Sequence, residues 1–179
     1  MTQRKYKKAA GFLIRWFRPD DAEFCYNTRR SAYNHEFTDE LSEREITAAV
    51  SAYEPVDYIH MAERMPFFVA ELHTECVGFF TLKRLDTYTA EIPLIYITLE
   101  NIGTGIGSTC IEYIEQWIRE HWPDVNTLTV DTIIPKYNSG FYKKVGFTTD
   151  KQVFCEFKGL TVKALRLIKH LRIGTKHGK

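Results

Sequence analysis

Apolar positions change their spacing from segment to segment along the chain, and that spacing predicts the elements. Phe12-Leu13-Ile14-Arg15-Trp16-Phe17-Arg18 is rich in β-formers and stops at Pro19, which predicts a first strand over 12–18. Asp20 and Asp21 stand where a helix start favours acidic caps. Phe24, Cys25, Thr28 and Ala32 follow at helical spacing, which predicts a helix over 20–35. Ser42-Glu43-Arg44-Glu45 has capping-box spacing, with Ile46, Ala49, Val50 and Tyr53 on one face, so a second helix starts at Ser42 and ends at Pro55. Residues 67–72 and 76–83 read as a hairpin around His73-Thr74-Glu75. A third strand over 91–99 contains Pro93, the mark of an edge position or a bulge. From Gly105 to His121 the residues Ile106, Cys110, Ile111, Ile114, Trp117 and Ile118 form an apolar stripe, with Glu112, Glu115, Gln116 and Arg119 opposite. Residues 127–133 alternate as a strand. Residues 138–144 form a short helix closed by Gly146, and 153–157 with 161–168 form a last hairpin. The order β-α-α-β-β-β-α-β-α-β-β predicts an α/β (α+β) fold, a mixed sheet with helices on both faces.

Composition narrows the function without naming it. The 179 residues suit one domain, 1–179, and the 44% hydrophobic and 26% charged residues suit a folded chain. Net charge is only +1, which gives no case for nucleic-acid binding. The basic ends read as solvated tails over 1–10 and 170–179. Cys25, Cys76, Cys110 and Cys155 form no CxxC pair, and the six histidines form no HExxH, so no metal is expected. No signal peptide or membrane-spanning run is apparent, which predicts a cytoplasmic protein with free thiols and no membrane partner. One stretch departs from the balance: Glu36, Asp39, Glu40, Glu43, Glu45, Glu54, Asp57 and Glu63 face only Arg44. It is either a solvated helix surface or an acidic wall for a cationic ligand.

Ile102-Gly103-Thr104-Gly105-Ile106-Gly107-Ser108 is the segment that carries chemistry. A glycine-rich turn leading into a helix presents several unpaired backbone amides at the positive end of the helix dipole, an anion site. It is not a P-loop, because Ile106 and Gly107 stand where Lys and Ser or Thr are required. Nor is it a dinucleotide fingerprint, because Ser108 or Cys110 occupies the position of the third glycine.

The segment resembles the acyl-CoA loop of the Gcn5-related N-acetyltransferase (GNAT) superfamily, Arg/Gln-x-x-Gly-x-Gly/Ala, with Ile102 replacing the Arg or Gln. Tyr137-Asn138-Ser139-Gly140-Phe141-Tyr142-Lys143-Lys144-Val145-Gly146-Phe147, about thirty residues on, resembles the same family's Asn-containing helix ending in Phe-Tyr-x-x-x-Gly-Phe. Phe68-Val69-Ala70-Glu71 and Val77-Gly78-Phe79 resemble its second and third strands. The likeness covers residues 12–158. It implies the acyl-CoA N-acyltransferase fold, a mostly antiparallel sheet of about six or seven strands. It also implies acetyl-CoA as cosubstrate, with backbone near Ile97, Thr98 and Leu99 pairing with the pantetheine amides. Amides of Ile102, Gly103, Thr104, Gly105, Ile106, Gly107 and Ser108 would hold the pyrophosphate, and Asn138 would touch the cofactor arm.

The reaction so implied is attack of a primary amine on the thioester. The leaving thiolate needs a proton, and a tyrosine can supply one. Tyr142 occupies the family's acid position; the alternative is an aromatic packed beneath the Gly146 cap. For the base, Glu91 and Glu71 are candidates, beside deprotonation through water alone. His35 and His60 fall in the acceptor-side region without a motif of their own. The acceptor is a small-molecule or peptide amine, a cationic one if the acidic stretch faces it, and homodimerisation stays open. The alternative function is a non-catalytic acyl-CoA sensor or interaction module on the same fold, which the Ile102 departure keeps in view.

Overall fold

The computed structural model describes residues 11–35 and 39–171; the expected arm over 1–10 lies outside them. In chain order the elements are β1 (Phe12–Trp16), α1 (Ala22–Asn34), α2 (Glu43–Val50), α3 (Pro55–Arg64), β2 (Phe67–Leu72), β3 (Glu75–Thr81), β4 (Lys83–Arg84), β5 (Thr89–Glu91), β6 (Ile95–Ile97), α4 (Ile106–His121), β7 (Thr127–Thr132), α5 (Pro135–Lys144), β8 (Thr148–Phe157) and β9 (Leu160–His170). They form two sheets, β1-β2-β3-β6 and β4-β5-β7-β9-β8. Every pairing is antiparallel except β5 with β7. This is the expected mixed α/β architecture.

The single strand expected over 91–99 is two strands in two sheets. Lys83 pairs with Glu91, whereas Thr81 donates its amide to the Leu94 carbonyl, so the register slips by one residue across Ile92-Pro93-Leu94. Pro93 has no N–H to give a ladder, and the chain changes partners there. Ile92 donates to the Thr129 carbonyl of β7 at 2.8 Å, and Leu94 donates to Thr81 Oγ1 at 3.2 Å. Beyond this crossing β6 stays with β3 while β7 continues with β9. A wedge opens between them.

Helices cover both faces, as patterned. The predicted stripe Ile106, Cys110, Ile111, Ile114, Trp117 and Ile118 is buried, and α4 packs with residues of both sheets, among them Phe68, Ala70, Leu128 and Val130. Alternation along β2 sends Phe67 and Val69 to the opposite face, where Phe79, Cys25 of α1 and Tyr58 of α3 meet them. A third cluster joins Ala49 of α2 to Ile133 and to Val162 and Ala164 of β9.

Several boundaries differ from expectation for identifiable reasons. Pro55 does not end a helix; it opens α3 at the first helical position, where its missing N–H costs nothing, and Asp57 accepts from the Glu54 amide at 2.7 Å. The sequence pattern hides α3 because Tyr58 is its one buried residue. Pro135 likewise starts α5 three residues early. β8 begins at Thr148 rather than 153, since its first five residues are exposed on both faces and show no alternation. The expected tail from 170 does not begin there: His170 ends β9, and Leu171 is buried and donates to the Asn126 carbonyl at 2.7 Å. Among the described residues no helix is long and apolar enough to cross a membrane.

Candidate functional site

The N-terminus of α4 opens onto the wedge. Gly103 and Gly105 have φ of +83° and +93°, a left-handed conformation that glycine adopts without strain. Gly105 is the cap residue, so the amides of Ile106, Gly107 and Ser108 in the first turn lack helical acceptors. Thr104 is exposed, with its hydroxyl donating to the Asn101 carbonyl at 2.7 Å; its amide and that of Ile102, both expected at the pyrophosphate, instead donate to the Asn101 and Leu99 carbonyls at 3.4 and 3.2 Å. Gly107 serves packing: a Cβ there would meet Phe141 at 3.0 Å and Ile97 at 3.8 Å, so the missing side chain lets α5 close against α4. Ile102 is 50% exposed at the rim and brings no charge to the turn.

From this turn a cleft of about 500 Å³ runs between β6 and α5, lined by Ile97, Leu99, Gly105, Ser108, Phe141 and Tyr142. Its backbone polarity follows from strand alternation. Thr98 donates its amide to the Val77 carbonyl at 2.9 Å, so the groups of Tyr96 and Thr98 point to β3 and those of Ile95 and Ile97 point into the wedge. Thr98 therefore drops out of the expected pantetheine-binding set: its amide is taken, and it does not line the cleft. Ile97 and Leu99 line the cleft. The turn, the free amides and the apolar walls fit an extended acyl-CoA arm.

A second cleft, of about 580 Å³, adjoins the first and is lined by Glu91, Asp131, Arg29, Tyr33 and Tyr53. Six residues line both clefts: Ala32, Ile95, Tyr96, Ile134, Asn138 and Tyr142. Asn138 donates its side-chain amide to Thr132 Oγ1 at 2.8 Å, which ties α5 to the end of β7. Tyr142 is 6% exposed, held edge-on between Phe141 and Phe147 with ring centroids 5.0 and 5.5 Å away. Burial, and then the neighbouring Tyr96, push its hydroxyl well above the ordinary phenol range, so it carries its proton at neutral pH. The end of α5 is secured by Lys169, which donates to the Val145 carbonyl at 2.5 Å and pairs with Glu115 of α4.

The two carboxylate candidates part here. Glu71 is taken: it accepts from Arg15 Nε at 2.6 Å, while Asp21 accepts from both Arg15 terminal nitrogens at 2.7 and 2.8 Å. This triad, buried at Arg15 and Asp21 and half-buried at Glu71, lines neither cleft. Glu91 faces the second cleft. Burial and then Asp131 raise its carboxyl above the usual range, against the pull of Arg166 and Lys83. Arg166 is bidentate to Asp131 at 2.7 and 2.6 Å and stands 3.8 Å from Glu91. His35 lines the first cleft and His60 neither.

The acidic stretch does not reach the second cleft. None of Asp39, Glu40, Glu43, Glu45, Glu54, Asp57 and Glu63 lines it, and Glu36 lies outside the described residues. Glu45 and Asp57 cap helices, and Glu40 accepts from the Lys136 amide at the start of α5. Where it is described, the stretch does not wall the second cleft and gives no support to a cationic acceptor there. The residues that line the cleft instead, Arg29, Tyr33, Tyr96 and Asp131, carry no motif. Tyr33 and Arg29 share a face of α1 at four-residue spacing, a signal that also fits an ordinary core.

Comparison with known proteins agrees with this geometry. Residues 33–168 match the sequence profile of the acetyltransferase (GNAT) domain. No curated protein matches the chain at the sequence level. Among solved structures, a Gcn5-related N-acetyltransferase from Rhodopseudomonas palustris is similar with a TM-score of 0.76 at 20% identity, over 96% of this chain and 100% of its own. PaiA N-acetyltransferase from Thermoplasma acidophilum, in complex with coenzyme A, superposes with a TM-score of 0.73 at 18% identity, covering 89% of this chain and 98% of its own. The ribosomal-protein-alanine N-acetyltransferase from Brucella melitensis gives 0.66 at 18%, covering 89% and 99%. At these identities the likeness establishes the fold.

Proposed function

We propose that this chain, which belongs to the GNAT acetyltransferase family, moves an acetyl group from acetyl-CoA to a primary amine by direct attack of the amine on the thioester. The observation that carries the reading is the meeting of two clefts at Tyr142, one ending in the glycine turn and the other holding Glu91.

In this reading the free amides of Ile106, Gly107 and Ser108 bind the pyrophosphate, and the inward-facing backbone of Ile95 and Ile97 orients the arm. The Tyr142 hydroxyl, kept protonated by burial, donates to the departing sulfur. Glu91, whose carboxyl titrates above the usual range, takes the proton that the attacking ammonium must shed. Four free thiols suit a reducing compartment, and we place the protein in the cytoplasm.

The test is thiol release from acetyl-CoA across a panel of amines, with Tyr142→Phe alongside. Wild-type protein should turn over at least one amine. Tyr142→Phe should lose about 10²-fold or more in kcat with the Kd for acetyl-CoA unchanged. The exposed Ile102, where the family motif has Arg or Gln, favours a second reading, a CoA-binding sensor. A protein that binds acetyl-CoA but, with or without Tyr142, releases no thiol in the presence of any amine of the panel has that role instead.

A further inference from the structure

Arg29 is the best-buried cation of the described residues and is left without a carboxylate. It lies in the middle of α1 and is 2% exposed. Its guanidinium carbon sits 4.9 Å from the Tyr33 ring centroid and 4.7 Å from that of Tyr53. Nη1 reaches the Val50 carbonyl, at the end of α2, only at 3.5 Å, and Nε is buried with no hydrogen-bond partner. No Asp or Glu among the described residues pairs with it. The fold treats its other inward arginines differently: Arg15 has Asp21 and Glu71, and Arg166 has Asp131 and Glu91. Burying a guanidinium without an anion is among the more costly arrangements a protein can keep, and two aromatic faces offset only part of it. The Val50 carbonyl alone, at the limit of hydrogen bonding, does not account for it.

Arg29 lines the acceptor-side cleft, with Glu91 and Asp131 on the same cleft. We infer that Arg29 is the anchor for a carboxylate on the acceptor, so that the amine acylated by this protein is a small amino acid-like molecule carrying its own carboxylate. This inference rests on the acyltransferase reading and names its substrate class. The charges agree. Lys83, the other cation lining the cleft, and Arg166, paired with Asp131, already act on Glu91, which leaves Arg29 as the lining cation with no carboxylate partner among the described residues. A phosphomonoester would bring nearly two negative charges into a cleft that also holds Glu91, Asp131 and Glu156. A polyamine would bring a cation to a buried guanidinium. Tyr33 and Tyr53 hold the guanidinium plane, and the Tyr33 hydroxyl bonds that of Tyr96 at 2.9 Å, so the anchor is linked to the junction where Tyr142 stands.

The experiment is calorimetric titration of the CoA-loaded protein with N-acetyl amino acids and with the matching N-acetyl amino acid amides, which differ only in the carboxylate. At least one acid should bind tenfold or more tightly than its amide. Arg29→Gln should abolish that gap and Arg29→Lys should keep part of it, since lysine has the charge without the fork. The Kd for CoA should stay at the wild-type value in both. Amides that bind as well as acids throughout, no binding of either class, or a gap that survives Arg29→Gln would each overturn the inference. The wild-type comparison needs no variant to fold. Thiol release is read separately: a protein that discriminates acids from amides but acetylates nothing keeps the carboxylate site and loses the acyltransferase reading.

Discussion

Replacing Gly105 with alanine separates the cofactor cradle from a mere helix start. Gly105 sits at φ +93°, where an L-residue is strained by about 1–2 kcal/mol. No atom lies within 4 Å of the added Cβ, so strain is the whole cost to the free protein. Reduced freedom of the unfolded chain returns a part, which leaves a net loss near 1 kcal/mol and a fall in Tm of roughly 2–4 °C for a chain of this size. The same open space is where the pyrophosphate is to sit, so the Kd for CoA should rise by more than the strain alone, tenfold or beyond, or about 1.4 kcal/mol. Gly107→Ala should behave in the opposite way. Helix propensity favours alanine by up to about 1 kcal/mol, while the Cβ presses on Phe141 at 3.0 Å, so stability should barely move. Its effect should appear in kcat, because Phe141 packs 5.0 Å from Tyr142. Calorimetric unfolding and titration with CoA read both variants. A Gly105→Ala protein with wild-type Tm and wild-type Kd would refute the cradle.

Other outcomes follow from the charged groups. If Glu91 is the base, its raised carboxyl pKa places the acid limb of kcat/KM above the ordinary glutamate value of about 4.3, activity being lost as pH falls through it; Glu91→Gln should flatten that limb in a pH–rate profile. Burial works against the Asp21 carboxylate, but its bonds to Arg15 and to the Arg18 amide hold its carboxyl below the ordinary range. It therefore contributes stability above the unfolded-state pKa that is lost as pH falls through the depressed folded value. Asp21→Asn leaves Arg15 with Glu71 alone and should cost about 3 kcal/mol, roughly 6–12 °C in Tm at neutral pH, with a weaker acid dependence; a shift under 2 °C would contradict the triad's role. Lys169→Met removes the donor at the end of α5 and should lower kcat more than it raises the KM for acetyl-CoA, measured by steady-state kinetics.

Much of this fold was legible because its signals are local. The stripe on α4, the alternation on β2 and the glycine turn each declare themselves within a few residues, and the structure buries or exposes them accordingly. What was not legible depends on distant partners. Whether Glu71 is free is decided by Arg15, fifty-six residues away in sequence. The split of 91–97 between two sheets is decided by Thr81 and Thr129, although Pro93 hinted at it. Charge density along the chain cannot decide between a solvated surface and an acidic wall, because it ignores direction; Glu45 and Asp57 cap helices and Glu40 accepts from the Lys136 amide. Arg29 was invisible for the converse reason, since a lone arginine on a helix is ordinary until its surroundings prove to hold no acid.

The parting of β6 from β7 also bears on solubility. A bare sheet edge invites another chain to add a strand, the first step to aggregation. Here two bare edges coexist, yet they are turned toward each other across the wedge and not toward solvent. The true outer edge on that side, β8, carries Asp150, Lys151 and Glu156 along an exposed strand, charges that discourage a foreign partner. The protein thus keeps its unsatisfied backbone where a slim extended molecule can thread in and a neighbouring polypeptide cannot.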